Sequence, residues 1–541
     1  MKLRCYLIVF ALSVNCFFSD QIKAQYAFQR DYNFIGPTVI QIAEAADSGF
    51  CIATRKILDS SFYSLTLFKT SAKGVVTWSK KFGNEISYIL SPSSIINDED
   101  GGYLISGQAR DSLENSWWGN SDIFCIKLDK NGNIIWGKKL GSDTLDEAAT
   151  ATALTSDGGI VVSASCDFTG VEYSSIFKLD PAGNLDWSSN LPSTEMRPYR
   201  IVVTKEGNIV CAGNFIDASS YNYISGFVVK LDALGNLIWC KTYSFDQSVQ
   251  IWNITIAPCG YFISGDYSED GILPYSPLLI KISEEGNVGW AKVYSSNWGT
   301  NNNLAMSSTV DGGVVMMLET QHYLGGKNNG LLKVDSAGIF QWAHQYMHQY
   351  GINTESVLQT RDNGYITAGY LDTTNYHTKL RLMKSDDMGK TPCNDSAVYV
   401  DTYVKSCTTL EHNCTITNGI NIETLALSEF SFVLTDSLIC IDTFSTTIQH
   451  MPTCDVSSIN DSKMEVSIFI NPNPAADYFN LICKVEKEIT FALIDLFGRE
   501  IRKFILNPSI KTHIVDVRDL PRGIYILQVK GSQTYTKLVL Q

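Results

Sequence analysis

A repeated segment of about 50 residues dominates this chain of 541 residues. Six copies share the pattern of a Lys between apolar residues, a turn containing Gly, and a closing tryptophan. After the first interval the tryptophans recur every 51 or 52 residues, at Trp78, Trp136, Trp187, Trp239, Trp290 and Trp342. A seventh copy around Lys384 keeps only the start of the motif. A second landmark, Asp-Gly-Gly or a variant, occurs seven times, at Asp47, Asp100, Asp157, Glu206, Cys259, Asp311 and Asp362.

Both landmarks predict β-hairpins, because Gly and Asn supply the positive φ of tight turns and apolar residues alternate on either side. Each unit therefore has room for four short strands, which is typical of a propeller blade. An open solenoid is the competing repeat architecture. Phe28–Tyr32 near the N-terminus resembles the strand that follows each tryptophan, and the seventh copy lacks this strand. The sequence thus predicts an all-β fold, a seven-bladed β-propeller over residues 25–390 that the N-terminal strand closes.

The N-terminal segment that precedes the propeller has the pattern of an export signal. Lys2 and Arg4 precede an apolar run from Tyr6 to Phe18, which predicts a signal peptide over residues 1–24 that is cleaved near Ala24. No later segment is long and apolar enough to predict a transmembrane span.

Residues 391–462 form a connector that is rich in Thr, Ser and Cys, and they hold five of the 14 cysteines. Export predicts that disulfides staple this segment, with their connectivity left open. Apolar alternation predicts strands there, in a fold that the sequence does not identify.

Composition and motifs exclude several classes of function. The formal charge of −14 is spread along the chain without a basic cluster, so nucleic acid is not an expected partner. None of the local signatures of hydrolases, phosphate-binding loops or dinucleotide-binding folds occurs. His344 and His348 are expected on the surface and too far apart to chelate one ion. The sequence predicts no metal site and no cofactor.

Candidate binding residues lie where a propeller carries its longer loops, on the face opposite the short turns. Aromatic and planar polar groups on this face suit a glycan or a protein surface, although such rings also pack within their own loops. The candidate ligand-binding residues are Trp117, Trp118, Arg197, Tyr199, Arg200, Tyr223, Trp252, Asn302 and Glu355.

The tryptophan of each repeat is expected to pack against the neighbouring blade. The repeat motif resembles the tryptophan-docking pattern of quinoprotein propellers over these short segments. With or without this resemblance, a large ring at a fixed point of each blade is expected to pack rather than to bind a ligand.

The last segment, residues 463–541, contains alternating strands, a proline-bounded entrance and a Pro-Arg-Gly turn, which predict a small Ig-like β-sandwich. It resembles the type IX secretion system C-terminal sorting domain of Bacteroidetes. The residues that carry the resemblance are Pro472, Asn473, Pro474, Gly498, Arg499, Leu520, Gly523, Tyr525 and Lys537. The resemblance implies that the secretion machinery is a partner and that the protein reaches the medium or the outer cell surface.

Two classes of function remain for the propeller. A non-enzymatic binding module for a glycan or a protein is favoured, because no reactive constellation is visible. The alternative is a propeller enzyme that acts on extracellular glycans, or a quinoprotein-like oxidoreductase. A structural or adhesive role stays open. Fold alone does not decide among them.

Overall fold

The computed structural model describes residues 24–33, 37–58, 62–82, 88–111, 121–141, 146–168, 171–191, 196–216, 224–268, 275–295, 302–321, 327–346, 352–371, 379–392, 395–397, 401–405, 407–411, 421–424, 429–431, 436–445, 468–471, 478–483, 489–495, 500–506, 512–518, 520, 522–529 and 535–540. At some strand ends, in most of residues 395–445 and in much of the C-terminal region, only the backbone is described. Within these ranges the chain consists of strands and turns, with no helix.

The strands begin with β1 (Ala24–Tyr32), and seven antiparallel sheets follow around a ring. Blade 1 comprises β2 (Pro37–Glu44), β3 (Phe50–Leu58), β4 (Phe62–Thr70) and β5 (Val76–Phe82). Blade 2 comprises β6 (Tyr88–Asn97), β7 (Tyr103–Asp111), β8 (Ser121–Leu128) and β9 (Ile134–Gly141). Blade 3 comprises β10 (Asp146–Leu154), β11 (Ile160–Phe168), β12 (Val171–Leu179) and β13 (Leu185–Leu191). Blade 4 comprises β14 (Met196–Val203), β15 (Ile209–Ile216), β16 (Ile224–Leu231) and β17 (Leu237–Ser244).

The remaining blades continue the same order. Blade 5 comprises β18 (Val249–Ala257), β19 (Gly260–Tyr267), β20 (Ser276–Ile282) and β21 (Val288–Ser295). Blade 6 comprises β22 (Asn302–Ser308), β23 (Val314–Gln321), β24 (Lys327–Val334) and β25 (Phe340–Tyr346). Blade 7 comprises β26 (Ile352–Gln359), β27 (Tyr365–Leu371), β28 (Lys379–Ser385) and the returning strand β1. The first strand of each blade contacts the first strands of both neighbours, so seven strands surround a central channel.

The N-terminal strand closes the ring, which confirms that prediction. Strand β1 pairs with β28 from Phe28 opposite Lys384 to Tyr32 opposite Leu380. The carboxylate of Asp31 accepts two hydrogen bonds from Arg381, at 2.6 and 3.0 Å, and both side chains are buried. The first and last parts of the propeller are therefore held by backbone pairing and by a buried ion pair.

The apolar core lies between the blades. Seven clusters of buried side chains each join two adjacent blades, and one of them joins blade 7 to blade 1. Because a sheet with two apolar faces must be covered on both, each blade depends on its neighbours, and only a closed ring covers them all.

The tryptophan of each repeat packs on the next blade, as predicted. Its ring lies against a glycine with positive φ, in the pairs Trp78–Gly132, Trp136–Gly183, Trp187–Gly235, Trp239–Gly286, Trp290–Gly338 and Trp342–Gly389. In the closing strand Phe28 takes the place of the tryptophan against Gly74. The Tyr32 hydroxyl donates to the Gly74 carbonyl at 2.5 Å, as Tyr243 does to Gly286 at 2.9 Å. The closing strand thus repeats the contacts of an ordinary outer strand.

The connector runs back around the outside of the ring and adds a fifth strand to six blades; we call strands β29 to β34 the belt. In chain order it covers blades 6, 5, 4, 2, 1 and 7, always antiparallel to the outermost strand. The belt strands are β29 (Asp395–Ala397), β30 (Asp401–Val404), β31 (Thr408–Glu411), β32 (Asn421–Thr424), β33 (Glu429–Ser431) and β34 (Asp436–Ser445).

The belt advances by seven residues per blade. The residue two places after a repeat tryptophan pairs with Ala397 on blade 6, Val404 on blade 5 and Glu411 on blade 4. The same step separates Thr424 on blade 2, Ser431 on blade 1 and Leu438 on blade 7, where Arg30 takes the equivalent position. The belt thus follows the symmetry of the propeller and covers sheet edges that would otherwise be open for pairing.

The belt corrects one expectation about the surface. His344 was expected to be exposed, but its relative exposure is 6%. It pairs with Ala397 of β29, and its ring lies 5.6 Å from that of Trp342. The prediction was wrong because a fifth strand covers what the repeat pattern presents as an outer edge.

A polar contact anchors the belt where it passes from blade 5 to blade 4. The ammonium group of Lys405 donates to the hydroxyl of Tyr267 at 3.0 Å, and that hydroxyl donates to Asp246 at 2.9 Å. The backbone N–H of Lys405 donates to the carbonyl of Ala291. The belt is thus tied to blade 5 by side chains as well as by strand pairing.

The cysteines fall into two groups. Cys51, Cys125 and Cys211 are buried thiols, and burial raises the pKa of Cys211 to about 12. In the connector, Cys407 is also a thiol. Cys259, in the inner turn of blade 5, is disulfide-bonded to a cysteine outside the residues whose side chains are described.

Two compact units make up the chain, Met1–Cys454 and Asp455–Gln541. The second unit contains two antiparallel sheets. One orders β35 (Ile468–Asn471), β36 (Tyr478–Cys483) and β39 (Thr512–Asp516). The other orders β38 (Glu500–Leu506), β37 (Ile489–Asp495), β40 (Gly523–Val529) and β41 (Tyr535–Leu540). The all-β class is confirmed, and the Ig-like character of this unit stays a prediction.

Candidate functional site

The innermost strand of each blade carries a β-bulge, which lies at the same register in blades 2 to 7 and leaves Val39 unpaired in blade 1. The residues left unpaired by the bulges of blades 2 to 7 are Ser93, Thr150, Tyr199, Trp252, Leu304 and Glu355. A bulge bends its strand and re-aims the extra side chain. Because these strands surround the channel, the bulges set six residues in one layer around it.

Glycines on the second strands make room for the bulges. A Cβ atom on Gly213 would lie 1.9 Å from the carbonyl oxygen of Arg197, and one on Gly265 would lie 1.8 Å from that of Gln250. No side chain fits at such distances. The Ser-Gly or Ala-Gly step that ends several of the repeated turn motifs is therefore explained by the bulge beside it.

Two bulge residues form an aromatic pair on adjacent blades. The rings of Tyr199 in blade 4 and Trp252 in blade 5 lie 4.8 Å apart at 67°, an edge-to-face contact, and both side chains are partly exposed. The indole N–H of Trp252 donates to Asp266 at 2.7 Å, and Asp266 is 4% exposed. The carboxylate fixes the indole through its N–H, and part of the Trp252 side chain stays exposed.

A second contact fixes the spacing of these blades. The side-chain oxygen of Asn214 in blade 4 accepts a hydrogen bond of 2.6 Å from the backbone N–H of Ile251, next to Trp252. Gly226 provides the space for Ile251, because a Cβ there would lie 2.5 Å from its side chain. The aromatic pair therefore belongs to a rigid interface between blades 4 and 5.

Two arginines flank the pair on the face of blade 4 that is turned toward blade 5. Arg197 is opposite Asn214 and Arg200 is opposite Ala212, which lies in the core shared by these two blades. The Arg200 guanidinium donates to the carbonyl of Tyr199 at 3.5 Å. Desolvation lowers the pKa of Arg200 below its usual value. The site thus combines aromatic rings with cationic donors.

The structure brings together four of the nine predicted binding residues, namely Arg197, Tyr199, Arg200 and Trp252. Trp117, Trp118 and Tyr223 lie outside the described residues. Asn302 and Glu355 lie at the starts of β22 and β26, where only the backbone is described.

Sequence reasoning missed Asn214 and Asp266, which hold Ile251 and Trp252 in place. The available signal was their position, because each directly follows the glycine beside a bulge, in Ala-Gly-Asn and Ser-Gly-Asp. A polar residue at that point of a buried strand needs a partner on the inner strand or on the next blade.

Other kinds of site are absent from the described part of the molecule. No group of three or more His, Cys, Asp or Glu side chains there is placed to hold a metal ion. No helix among the described residues is long and apolar enough to cross a membrane.

Four of the nine residues predicted for sorting lie within the described ranges of the C-terminal unit. Tyr525 and Gly523 lie in β40, Lys537 lies in β41, and Leu520 donates its N–H to the carbonyl of Val517 at 3.0 Å. Tyr525 is 6% exposed and so belongs to the core of this unit. The other five, Pro472, Asn473, Pro474, Gly498 and Arg499, lie outside the described residues.

Comparisons with solved structures return distant similarities. A protein of unknown function from Dyadobacter fermentans is 12% identical, with a TM-score of 0.37, over 56% of this chain and 96% of that one. A glycosyl hydrolase from Bacteroides ovatus is 9% identical, with a TM-score of 0.26, over 68% and 88%. An apocarotenoid oxygenase from Synechocystis is 10% identical, with a TM-score of 0.32, over 69% and 95%. At these scores the three structures indicate nothing about the activity of this chain.

The C-terminal unit has a specific match. No curated protein matches the chain. Residues 469–541 match the family described as the secretion system C-terminal sorting domain. This match indicates export by the type IX secretion system of Bacteroidetes to the cell surface or the medium, and an interaction with that machinery. The chain is a cargo protein of this system, in which a seven-bladed β-propeller precedes a C-terminal sorting domain.

Proposed function

We propose that the propeller is a non-enzymatic binding module for an extracellular glycan, and that the interface of blades 4 and 5 holds the ligand. The observation that carries this proposal is the Tyr199–Trp252 pair, in which a buried carboxylate fixes one ring. Sugar rings present apolar C–H faces that pack on aromatic rings, and their hydroxyls need planar polar partners nearby.

The preorganisation of Trp252 also supports the proposal of a glycan-binding site. Trp252 is held by Asp266, and its strand is held by Asn214, so little side-chain entropy is lost when a ligand binds. The bulge residues at the same register in blades 2, 3, 6 and 7 are not aromatic: Ser93, Thr150, Leu304 and Glu355. The site is thus a local departure from the repeat, as expected for function on a regular scaffold.

The test is a glycan array probed with the chain lacking residues 1–24, beside Trp252→Ala and a matched control, Ser93→Ala. Ser93 occupies the same bulge in blade 2. We expect saturable binding that Trp252→Ala weakens about tenfold or more and that Ser93→Ala leaves unchanged.

Two further readouts separate the alternatives. Release of shorter sugars during the incubation would favour a glycan-active enzyme over a binding module. Absence of binding to every glycan, with the same melting temperature in all variants, would refute the carbohydrate proposal and leave a protein partner as the hypothesis to test.

A further inference from the structure

Arg200 breaks the pattern of its position in the propeller. It follows the bulge residue of blade 4, on the innermost strand. The residues at the same register in blades 2, 3, 5, 6 and 7 are uncharged, and four of the five are small: Ser94, Ala151, Asn253, Ala305 and Ser356. A guanidinium group in this layer is therefore not required by the architecture.

The charge of Arg200 has no counter-ion in the described part of the protein. Among the described residues, its one hydrogen bond goes to the backbone oxygen of Tyr199, at the long distance of 3.5 Å. Two buried cations elsewhere in the propeller have carboxylate partners: Arg381 pairs with Asp31, and Lys333 pairs with Asp311 at 2.8 Å. The Arg200 side chain is partly buried, and because an unpaired charge that is partly removed from water is costly, Arg200 needs an explanation other than packing.

A second unsatisfied donor lies in the same layer of the next blade. Asn253 follows Trp252 and is 2% exposed, and its side-chain nitrogen has no hydrogen-bond acceptor. In both blades, the aromatic bulge residue is followed in the sequence by a polar residue with unused hydrogen-bond donors. Arg200 follows Tyr199 in blade 4, and Asn253 follows Trp252 in blade 5.

We infer that the glycan carries a carboxylate, as a sugar acid does, and that Arg200 binds this group while the aromatic pair contacts the sugar ring. This inference rests on the proposed function and specifies its ligand class. A guanidinium presents paired N–H donors that match the two oxygens of a carboxylate. The ring contacts favour a sugar acid over a small inorganic anion, which has no apolar face.

The experiment uses an array of uronate-containing, sialate-containing and neutral glycans with the chain lacking residues 1–24. The best acidic glycan is then titrated by calorimetry beside its methyl ester, which keeps the sugar and removes the charge. We expect esterification and Arg200→Gln each to weaken binding about tenfold or more, and their effects not to add, since both remove the same contact.

Two variants control for folding and for net charge. Arg110→Gln removes a cation from blade 2 and should leave affinity unchanged. Arg200→Met removes the charge and keeps an apolar stem, so we expect it to melt no lower than the wild type while losing the preference for the acid.

The outcomes distinguish the inference from the proposed function. Binding of neutral glycans that depends on Trp252 but not on Arg200 would overturn the inference and leave the proposed function standing. Equal affinity for the acid and its ester would do the same. Absence of binding to all glycans would overturn both.

Discussion

Replacing Asp31 with Asn removes one carboxylate from the closing strand and leaves the guanidinium of Arg381 buried without a counter-ion. The relative exposures of the two side chains are 7% and 6%, and they face each other directly in the pairing of β1 with β28. Breaking a buried pair by removing one partner costs about 3–5 kcal/mol, because the remaining charge stays desolvated. We expect a loss of that size in the free energy of unfolding of the propeller.

The assay is equilibrium unfolding in urea, followed by tryptophan fluorescence. The matched control is Asp157→Asn, which removes a carboxylate that is 51% exposed and leaves its partner Lys178 paired with Asp186 at 2.9 Å. This control should cost less than about 1 kcal/mol. The double variant Asp31→Leu/Arg381→Met replaces the pair by apolar groups and should recover most of the loss. An Asp31→Asn variant as stable as the control would refute the reasoning.

Three further predictions concern the propeller and its belt. Gly235→Ala should lower the free energy of unfolding in urea by about 2–4 kcal/mol, because φ is 83° and the new Cβ would lie 2.7 Å from the ring of Trp187. Gly158→Ala, with φ of 79° and its nearest neighbour at 3.7 Å, adds the backbone strain without the clash and should cost about 1–2 kcal/mol in the same assay. Hydrogen bonds from Lys178 lower the pKa of Asp157 to about 2, so the stabilisation by this carboxylate is present above about pH 4 and is lost as the pH falls toward 2; the unfolding midpoints of wild type and Asp157→Asn should converge over that window, and a constant difference would contradict the assignment. A chain that ends before the belt leaves six outer strands uncovered and should self-associate in light scattering at concentrations where the full chain is monomeric; an equally monomeric and stable truncated chain would show that the belt is dispensable.

The ring could be predicted from the sequence because its signals recur. Each repeat places a turn, a Lys and a tryptophan at fixed spacing, and a feature that is ambiguous once becomes clear over six copies. The same spacing showed that the last repeat lacks a strand, and Phe28–Tyr32 supplied a matching segment. Because one strand was missing from the seventh copy, the sequence predicted that β1 supplies it and closes the ring.

The belt could not be predicted in the same way. Its strands are three to ten residues long, and most are too short to show an apolar alternation. Their seven-residue spacing appears only in the register with the blades, since nothing in Thr408–Glu411 or Asn421–Thr424 identifies a partner. Edge pairing depends on backbone groups, which are alike in every residue, and the sequence therefore carries little trace of it.

The candidate site was partly predictable. Tyr199 and Trp252 were visible as aromatic residues at equivalent places in the blade order. Their approach to 4.8 Å depends on bulges, and the sequence marks these only through the glycine on the neighbouring strand. The placement of Arg200 between blades 4 and 5 was not predictable, because the repeat pattern does not reveal which long side chain is turned toward the next blade.

The most direct test of the function assigned to this propeller is hydrogen–deuterium exchange of the chain lacking residues 1–24, with and without its best-binding glycan. Ligand at the interface of blades 4 and 5 should slow exchange in peptides that cover Met196–Val203 and Val249–Ala257. Exchange in the belt and in residues 468–540 should stay unchanged. Protection confined to other blades or to the C-terminal unit would contradict the account.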